Sequence, residues 1–466
     1  MVVNRVLSLQ NQARLTHSKR LVIPFINAPF STDIMVFLAF WPLWWILGIE
    51  QLLPPFFLAW EMIRHLLRTK GRFSINAPIR WAFLLALWWL VPVVWVEREH
   101  LDIFLKEAAT AWSQVLAFLL LWNCLSTIRD WYRVVKGLEV LAAYAALGGL
   151  VFVLGLWRGE ILSLAGRALP APLIESSAFF RSISIRTFGT MVGEDSLLFQ
   201  RVSSFSLQFS GLSMVALLLI PFITWRLCQA RGWARYRHSA VLVGLLLCLV
   251  YAQSRIAYLA FVTGVIVFTA LKLDFLRPRN RFFLLALIAL TITLAMGVGY
   301  LVFSEITQTL NTIFLELRPG SWLVRFRIYQ ETLRLLPEHP IAGWGVPVRI
   351  PGMRSVYSAG THSSYLGMLF QHGVIGLVLY LGLWVSVWRG ILKGLRERTI
   401  SSSLRPFWIM ATVSMLSFNI RETADIWWWD QLVTMTIWMM WGLTMVALRL
   451  TSMEGHHYGD STGAGD

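Results

Sequence analysis

Charge is scarce in this sequence: only 14% of its 466 residues are Asp, Glu, Lys or Arg, and they fall in short clusters between long apolar runs. Soluble domains carry about a quarter charged residues, so the pattern argues against two or three soluble units and for a membrane bundle. Cysteine is nearly missing. Cys124, Cys228 and Cys248 lie in or beside apolar runs without CxxC or Cys/His spacing, which supports neither a disulfide framework nor a zinc site. Acidic residues are few, 25 against 41 basic ones, for a formal charge of +16. Such an excess suits nucleic acid, but the basic residues alternate with apolar spans, and positive-inside topology accounts for that without a nucleic-acid partner. There is no D-x-D or H-E-x-x-H pattern, no G-x-S-x-G elbow, no P-loop and no internal repeat. The basic, mixed N-terminus through Lys19-Arg20 lacks an apolar core followed by a small-residue cleavage site. It reads as leading into an uncleaved anchor and not as a signal peptide.

What is present is hydrophobic: 57% of residues, with a mean hydropathy of +0.62. Runs long enough to cross a bilayer fall near 33–49, 52–67, 79–96, 103–123, 137–157, 204–225, 239–253, 255–272, 282–303, 364–388, 406–420 and 429–448. Two places leave the division open. Pro54-Pro55 marks either a tight turn or a kink, and only Gln253-Ser254 separates the halves of 239–272. Every second connection is basic, from Arg64/Arg68/Lys70/Arg72 to Arg389/Lys393/Arg396/Arg398/Arg405. The expectation is therefore an all-α polytopic bundle of about twelve helices with both termini cytoplasmic. Residues 1–454 read as one transmembrane domain, and the polar, Gly-rich segment 455–466 as a disordered tail.

Two connections facing away from the cytoplasm are long, roughly 158–203 and 304–363, and loops of that length are commonly functional. Together they hold eleven Arg and no Lys, including Arg186, Arg201, Arg318, Arg325 and Arg327. Guanidinium presents a rigid donor fork matched to phosphate oxygens and does not deprotonate. Snorkelling, or pairing with the eight acids of the same loops, is the alternative. Within the second loop Trp322, Phe326, Tyr329, Leu333 and Leu336 recur at helical spacing, after Pro319-Gly320 with Ser321 as N-cap and before Pro337. Arg325 lies roughly 60° from that apolar stripe and Arg327 roughly 140°, so Arg325 is expected to reach the protein side. Arg255 opens a span, where a charge is costly and usually faces a cavity or the bundle interior, unless it snorkels at the helix end. His362, in Gly360-Thr-His-Ser-Ser-Tyr365, has a side chain suited to a general base, or else to a hydrogen-bonded interfacial role. His372 reads as a packing residue. Glu194-Asp195 is the one adjacent acidic pair in the two loops, too few carboxylates for a metal-dependent transferase, so no metal or cofactor is expected.

Several of these segments resemble the O-antigen ligase and polymerase superfamily of bacterial envelopes. Pro337-Glu-His-Pro-Ile-Ala-Gly-Trp-Gly345, following Val324-Arg-Phe-Arg-Ile-Tyr329, is similar to that family's "P-l-x-G-x-G" stretch after an Arg-bearing helix. Thr361-His-Ser-Ser-Tyr-Leu366, running into Gln371-His-Gly-Val-Ile-Gly376, is similar to its "H-[NS]-x-[YF]-L … G-x-x-G" signature. Ser254-Arg255-Ile-Ala-Tyr resembles its earlier "S-R" helix start. At 202–211 the family's Asn/Pro pair is replaced by Leu207-Gln208-Phe209, which departs from the pattern.

The resemblance covers roughly 200–380. It implies a GT-C-like bundle in the inner membrane, acting at its periplasmic face on an undecaprenyl-pyrophosphate glycan donor. Arg255 and Arg325 would bind pyrophosphate and His362 would serve the acceptor hydroxyl. Arg318, Arg327, Arg186, Arg201 and Tyr365 are the further substrate-binding candidates. The implied reaction is metal-independent inversion at the anomeric carbon. The acceptor stays open between lipid A-core, as in a ligase, and another lipid-linked glycan, as in a polymerase. A protein acceptor ranks third, because that class tends to a longer C-terminal extension. A transporter of a small anion (bicarbonate-like) or of a lipid-linked substrate is the alternative of another class, and it would call for paired repeats with polar midplane residues.

Overall fold

The computed structural model describes residues 29–176, 178–194, 197–272, 319–353, 357–396 and 404–459. Helices dominate. They are α1 (Phe30–Ala39), α2 (Trp41–Leu47), α3 (Leu53–Thr69), α4 (Ala77–Trp88), α5 (Leu101–Cys124), α6 (Ile128–Val153), α7 (Phe209–Gln229), α8 (Trp233–Tyr251), α9 (Arg255–Lys272), α10 (Pro319–Leu335), α11 (Ser364–Arg396), α12 (Arg405–Glu422) and α13 (Gln431–Gly459). Among the described residues eight helices are long and apolar enough to span a membrane, or nine if α1 and α2, bent by 54° at Phe40, form one broken span. The chain is an all-α polytopic membrane protein. Of the other expected spans, 52–67 and 406–420 appear as α3 and α12, which fall below that threshold; the span expected at 282–303 lies outside the described residues.

Local chemistry sets the helix ends. The Asn76 side chain accepts from Ile79 N at 2.9 Å, with a proline at the start of α4, and Thr127 Oγ1 accepts from Asp130 N at 3.1 Å ahead of α6. The 239–272 run resolves into α8 and α9, separated at Ala252–Ser254, where Gln253 adopts φ +50°. The helix expected after Ser321 begins earlier, at Pro319, because proline without an N–H is tolerated in a first turn. Its packed face also differs from the expected stripe. Ile328 is fully buried against Ile350, Ala359 and Phe370, with Val324, Tyr329 and Leu335 alongside, whereas Leu333 is 54% exposed.

α13, as far as Thr451, and α7 run through the bundle's centre and are mostly buried, while α8 and α9 leave most of their surface outward. Small residues allow close approach. Gly264 of α9 meets Ser417 and Val413 of α12, and Ser417 Oγ donates to Ala260 O at 3.0 Å. At one end of the bundle Arg64 pairs with Asp33 (2.7 Å) and Glu61 (2.5 Å), and Glu139 pairs with Arg226. The other end carries the loops that build the site. There, the described residues between 158 and 208 form three short helices, a two-residue antiparallel pairing of 161–162 with 185–186, and an antiparallel strand pair, β1 (Gly189–Glu194) with β2 (Leu197–Val202), before α7.

α11 is broken. Gly373 takes φ +68°, which halts the hydrogen-bond ladder, and the segment 340–345 replaces it. Trp344 N donates to Phe370 O at 2.9 Å, Gly345 N to Gln371 O at 2.8 Å, and Val374 N to Pro340 O at 2.9 Å. The indole of Trp88 donates to His372 O at 2.8 Å. Gly343 and Gly345 both have positive φ, and a Cβ on Gly343 would lie 2.3 Å from the carbonyl carbon of Gln371. The glycines of the 337–345 motif are therefore the condition for this clip. It orients the short first half of α11, which begins two residues after His362.

Candidate functional site

His362 occupies the turn that leads into α11, half-buried and in a left-handed conformation (φ +63°) uncommon for a side-chain-bearing residue. Several hydrogen bonds define the turn. Gly360 N donates to Thr332 Oγ1 at 2.9 Å, Gln371 Nε2 donates to Gly360 O at 3.1 Å, and the Tyr329 hydroxyl donates to His362 O at 2.7 Å. Nδ1 of His362 is buried without a protein hydrogen-bond partner. Burial pushes its imidazole down to about 4; the Asp425 charge opposes this, and the charges of Arg325 and Arg421 add to it.

Those charges belong to one cluster. Arg325 and Tyr329 are four residues apart on α10, so they share a face. Arg421 lies in the last turn of α12 with a side chain 1% exposed. It pairs through Nη2 with Asp425 Oδ2 at 2.8 Å and donates through Nε to Ser213 Oγ of α7 at 3.1 Å. Its Nη1 is buried without a partner. Asp425 accepts from Ile426 N at 2.9 Å. Burial alone would raise its carboxyl, but Arg421, His362 and Arg325 together hold it below the usual range. Ser364 Oγ donates to Asp425 O at 2.8 Å, which fixes the His362 turn to the end of α12.

Arg325 shares its helix face with Tyr329, which holds the His362 carbonyl, and Arg421 and Asp425, which the sequence analysis did not single out, join the same turn through Ser364. The signal was there: an Arg and an Asp at i and i+4 closing an apolar span.

Arg255 is exposed at the first residue of α9, not turned into the interior. Antiparallel packing of α9 on α12 through Ala260 and Ser417 puts it at about the same level as Arg421. Arg201 is beside it in the chain's path: its Nη2 reaches Gln253 O at 3.4 Å and its guanidinium lies 3.7 Å from the Phe209 ring centroid. Arg327 is exposed, donating to Pro351 O at 3.3 Å.

Arg186 does not face an open surface. It is buried, bound to Glu50 Oε2 at 2.5 Å and to Ser182 O at 2.5 Å. Tyr365 is turned into the bundle, its hydroxyl donating to Glu422 Oε2 at 3.4 Å and accepting from Asn419 at 3.3 Å. Arg318 lies outside the described residues. The 202–211 segment, where the family pattern is altered, is tied to the bundle by Asp430. Its carboxylate accepts from Ser206 Oγ and, at 2.9 Å, from Leu207 N.

Fold and site together define an all-α polytopic membrane protein with Arg421, Asp425 and the His362 turn joined at one end of its bundle, beside the helix that carries Arg325. The sequence profile of the O-antigen ligase family matches residues 239–381, a stretch that includes Arg255, Arg325 and His362 but stops short of Arg421 and Asp425. An O-antigen ligase of Pseudomonas aeruginosa is 34% identical over 102 residues, 21% of this chain. The matched stretch spans 23% of that protein's length. The resemblance to the O-antigen ligase family therefore holds over the segment that carries its motifs.

Proposed function

We propose that this protein transfers a glycan from a polyprenyl (undecaprenyl) pyrophosphate donor to an acceptor hydroxyl at the periplasmic face of the bacterial inner membrane. The observation that carries this reading is the tethering of the His362 turn to the helix face of Arg325, through Tyr329, and to the Arg421–Asp425 pair, through Ser364, with Arg421 Nη1 and His362 Nδ1 both buried and unpartnered. An orphaned buried guanidinium donor is costly, and an anionic oxygen is its natural complement. A neutral imidazole with a bare nitrogen is the complement of a hydroxyl proton.

In the proposed reaction the acceptor oxygen attacks the anomeric carbon and its proton passes to His362. The bond from that carbon to the pyrophosphate oxygen breaks with inversion. Arg325 and Arg421 stabilise the charge that develops on the leaving pyrophosphate, a preorganised electrostatic role that needs no metal. Arg255 and Arg201, at about the level of Arg421, suit the distal phosphate or the approach of the anionic donor. Docking of pyrophosphate offsets the two cationic charges that depress His362, so the donor itself raises the base towards working pH. Asp425 supports this by favouring the imidazolium as it forms.

The acceptor is lipid A-core in a ligase and a second lipid-linked glycan in a polymerase. The test is deletion of the gene, with complementation by wild type, His362→Ala, Arg325→Ala and Arg421→Ala at matched membrane abundance, and polysaccharide read on gels. The reading expects wild type alone to restore the glycan ladder. Missing polymer assigns a polymerase; lipid-linked polymer left unattached assigns a ligase. Full complementation by all three variants would remove the site assignment, and unchanged glycans on deletion would remove the function.

A further inference from the structure

One face of α10 addresses the His362 turn at two points. Thr332 Oγ1 accepts from Gly360 N at 2.9 Å, and the Tyr329 hydroxyl donates to His362 O at 2.7 Å. Arg325, Tyr329 and Thr332 fall at i, i+4 and i+7, so the helix that supplies a guanidinium to the site also grips the backbone beside its imidazole. His362 needs that grip. Its backbone is left-handed (φ +63°), a conformation that costs a non-glycine residue about 1 kcal/mol or more and persists only where its surroundings enforce it.

We infer that Tyr329 is the positioning residue for His362: its phenol clamps the carbonyl of a strained residue and so fixes where the imidazole points. The inference rests on the site reading above but concerns the clamp and not the chemistry. Tyr329 is suited to it. Burial, with the nearby Asp425 charge, raises its phenol above the ordinary value against the pull of Arg325 and Arg421, so it remains a donor across the physiological range. Without the clamp the turn relaxes to negative φ and the ring swings away from Arg325, Arg421 and Asp425.

The experiment uses the full chain in detergent, with Tyr329→Phe, which keeps the ring and removes the donor, and Thr332→Val, which loosens the neighbouring tether. Diethylpyrocarbonate labelling of histidines, read peptide by peptide by mass spectrometry from pH 5 to 8, reports the neutral imidazole directly. In the wild type His362 labels at a rate nearly independent of pH over this range, because burial holds it at about 4. In Tyr329→Phe the reaction at neutral pH should rise roughly fivefold or more and acquire a titration near the ordinary value of about 6.5. His339 should be unchanged. Thr332→Val should shift His362 the same way by less, and supplies the readout if Tyr329→Phe does not accumulate. Glycan transfer per folded molecule should fall about tenfold or more in Tyr329→Phe. A His362 labelling profile identical to wild type in both variants overturns the clamp, whatever the activity. If the profile moves while His362→Ala still transfers glycan, the clamp stands and the catalytic reading falls.

Discussion

Removing Arg421 separates two roles that one side chain combines. It is 1% exposed and paired at 2.8 Å with Asp425, whose side chain is 15% exposed. Breaking a buried pair by removing one partner costs about 3–5 kcal/mol, chiefly because the other charge is left stranded. Asp425 retains some access to solvent, so the lower end, about 3 kcal/mol, is the figure for Arg421→Met. Removing both charges, with Arg421→Met and Asp425→Asn, should recover most of that, since no lone charge remains. Activity should not recover. The unpartnered Nη1 is the atom assigned to the leaving group, and losing one such donor costs roughly 100-fold or more in turnover. The assay is a thermal melt of wild type, Arg421→Met and the double variant, following the fluorescence of the 24 tryptophans, beside glycan transfer by the same samples. The reasoning is refuted if the single variant melts no lower than the double, or if the double transfers glycan at the wild-type rate.

Arg186→Met should lower abundance and melting temperature, because Glu50, with a side chain 0% exposed, loses its cation. Glu50→Gln in the same chain should restore both, and transfer per folded molecule should stay near wild type. Gly343→Ala should be badly tolerated, since it combines φ +76° with a Cβ placed against Gln371; loss of membrane-integrated protein on a blot checks this. Inorganic pyrophosphate should raise the His362 titration from about 4, because it counters the Arg325 and Arg421 charges that lower it. At an effective dielectric of about 20, a unit charge roughly 6 Å away is worth about 2 pK units. NMR of ring-labelled histidine should follow that rise, and Arg421→Met should shrink it.

The span pattern was legible because hydropathy and basic connections are local properties of the chain. So was the helix that carries Arg325, through its apolar spacing and flanking prolines. What escaped depends on partners distant in sequence. The buried face of α10 is chosen by Ile350, Ala359 and Phe370, so Ile328 is covered and Leu333 is not, although the two looked equally apolar. Arg186 was read as a surface cation because Glu50, its partner, lies 136 residues away. Asp425 was not singled out: its pairing with Arg421 follows the i, i+4 spacing, but the bond from Ser364 to its backbone carbonyl joins residues 61 apart. In each case residue type was informative and orientation was not.

The break in α11 bears on how the protein is made. A span interrupted at Gly373 leaves peptide groups that bilayer hydrocarbon cannot satisfy, and their complements lie in the segment 340–345, which the ribosome delivers first. The clip is therefore already synthesised when the helix it completes arrives. Chain order spares the nascent span a wait with its backbone exposed. Were the two segments exchanged in sequence, the same contacts would be available in the finished protein, yet the broken helix would first have to survive the membrane and its proteases alone.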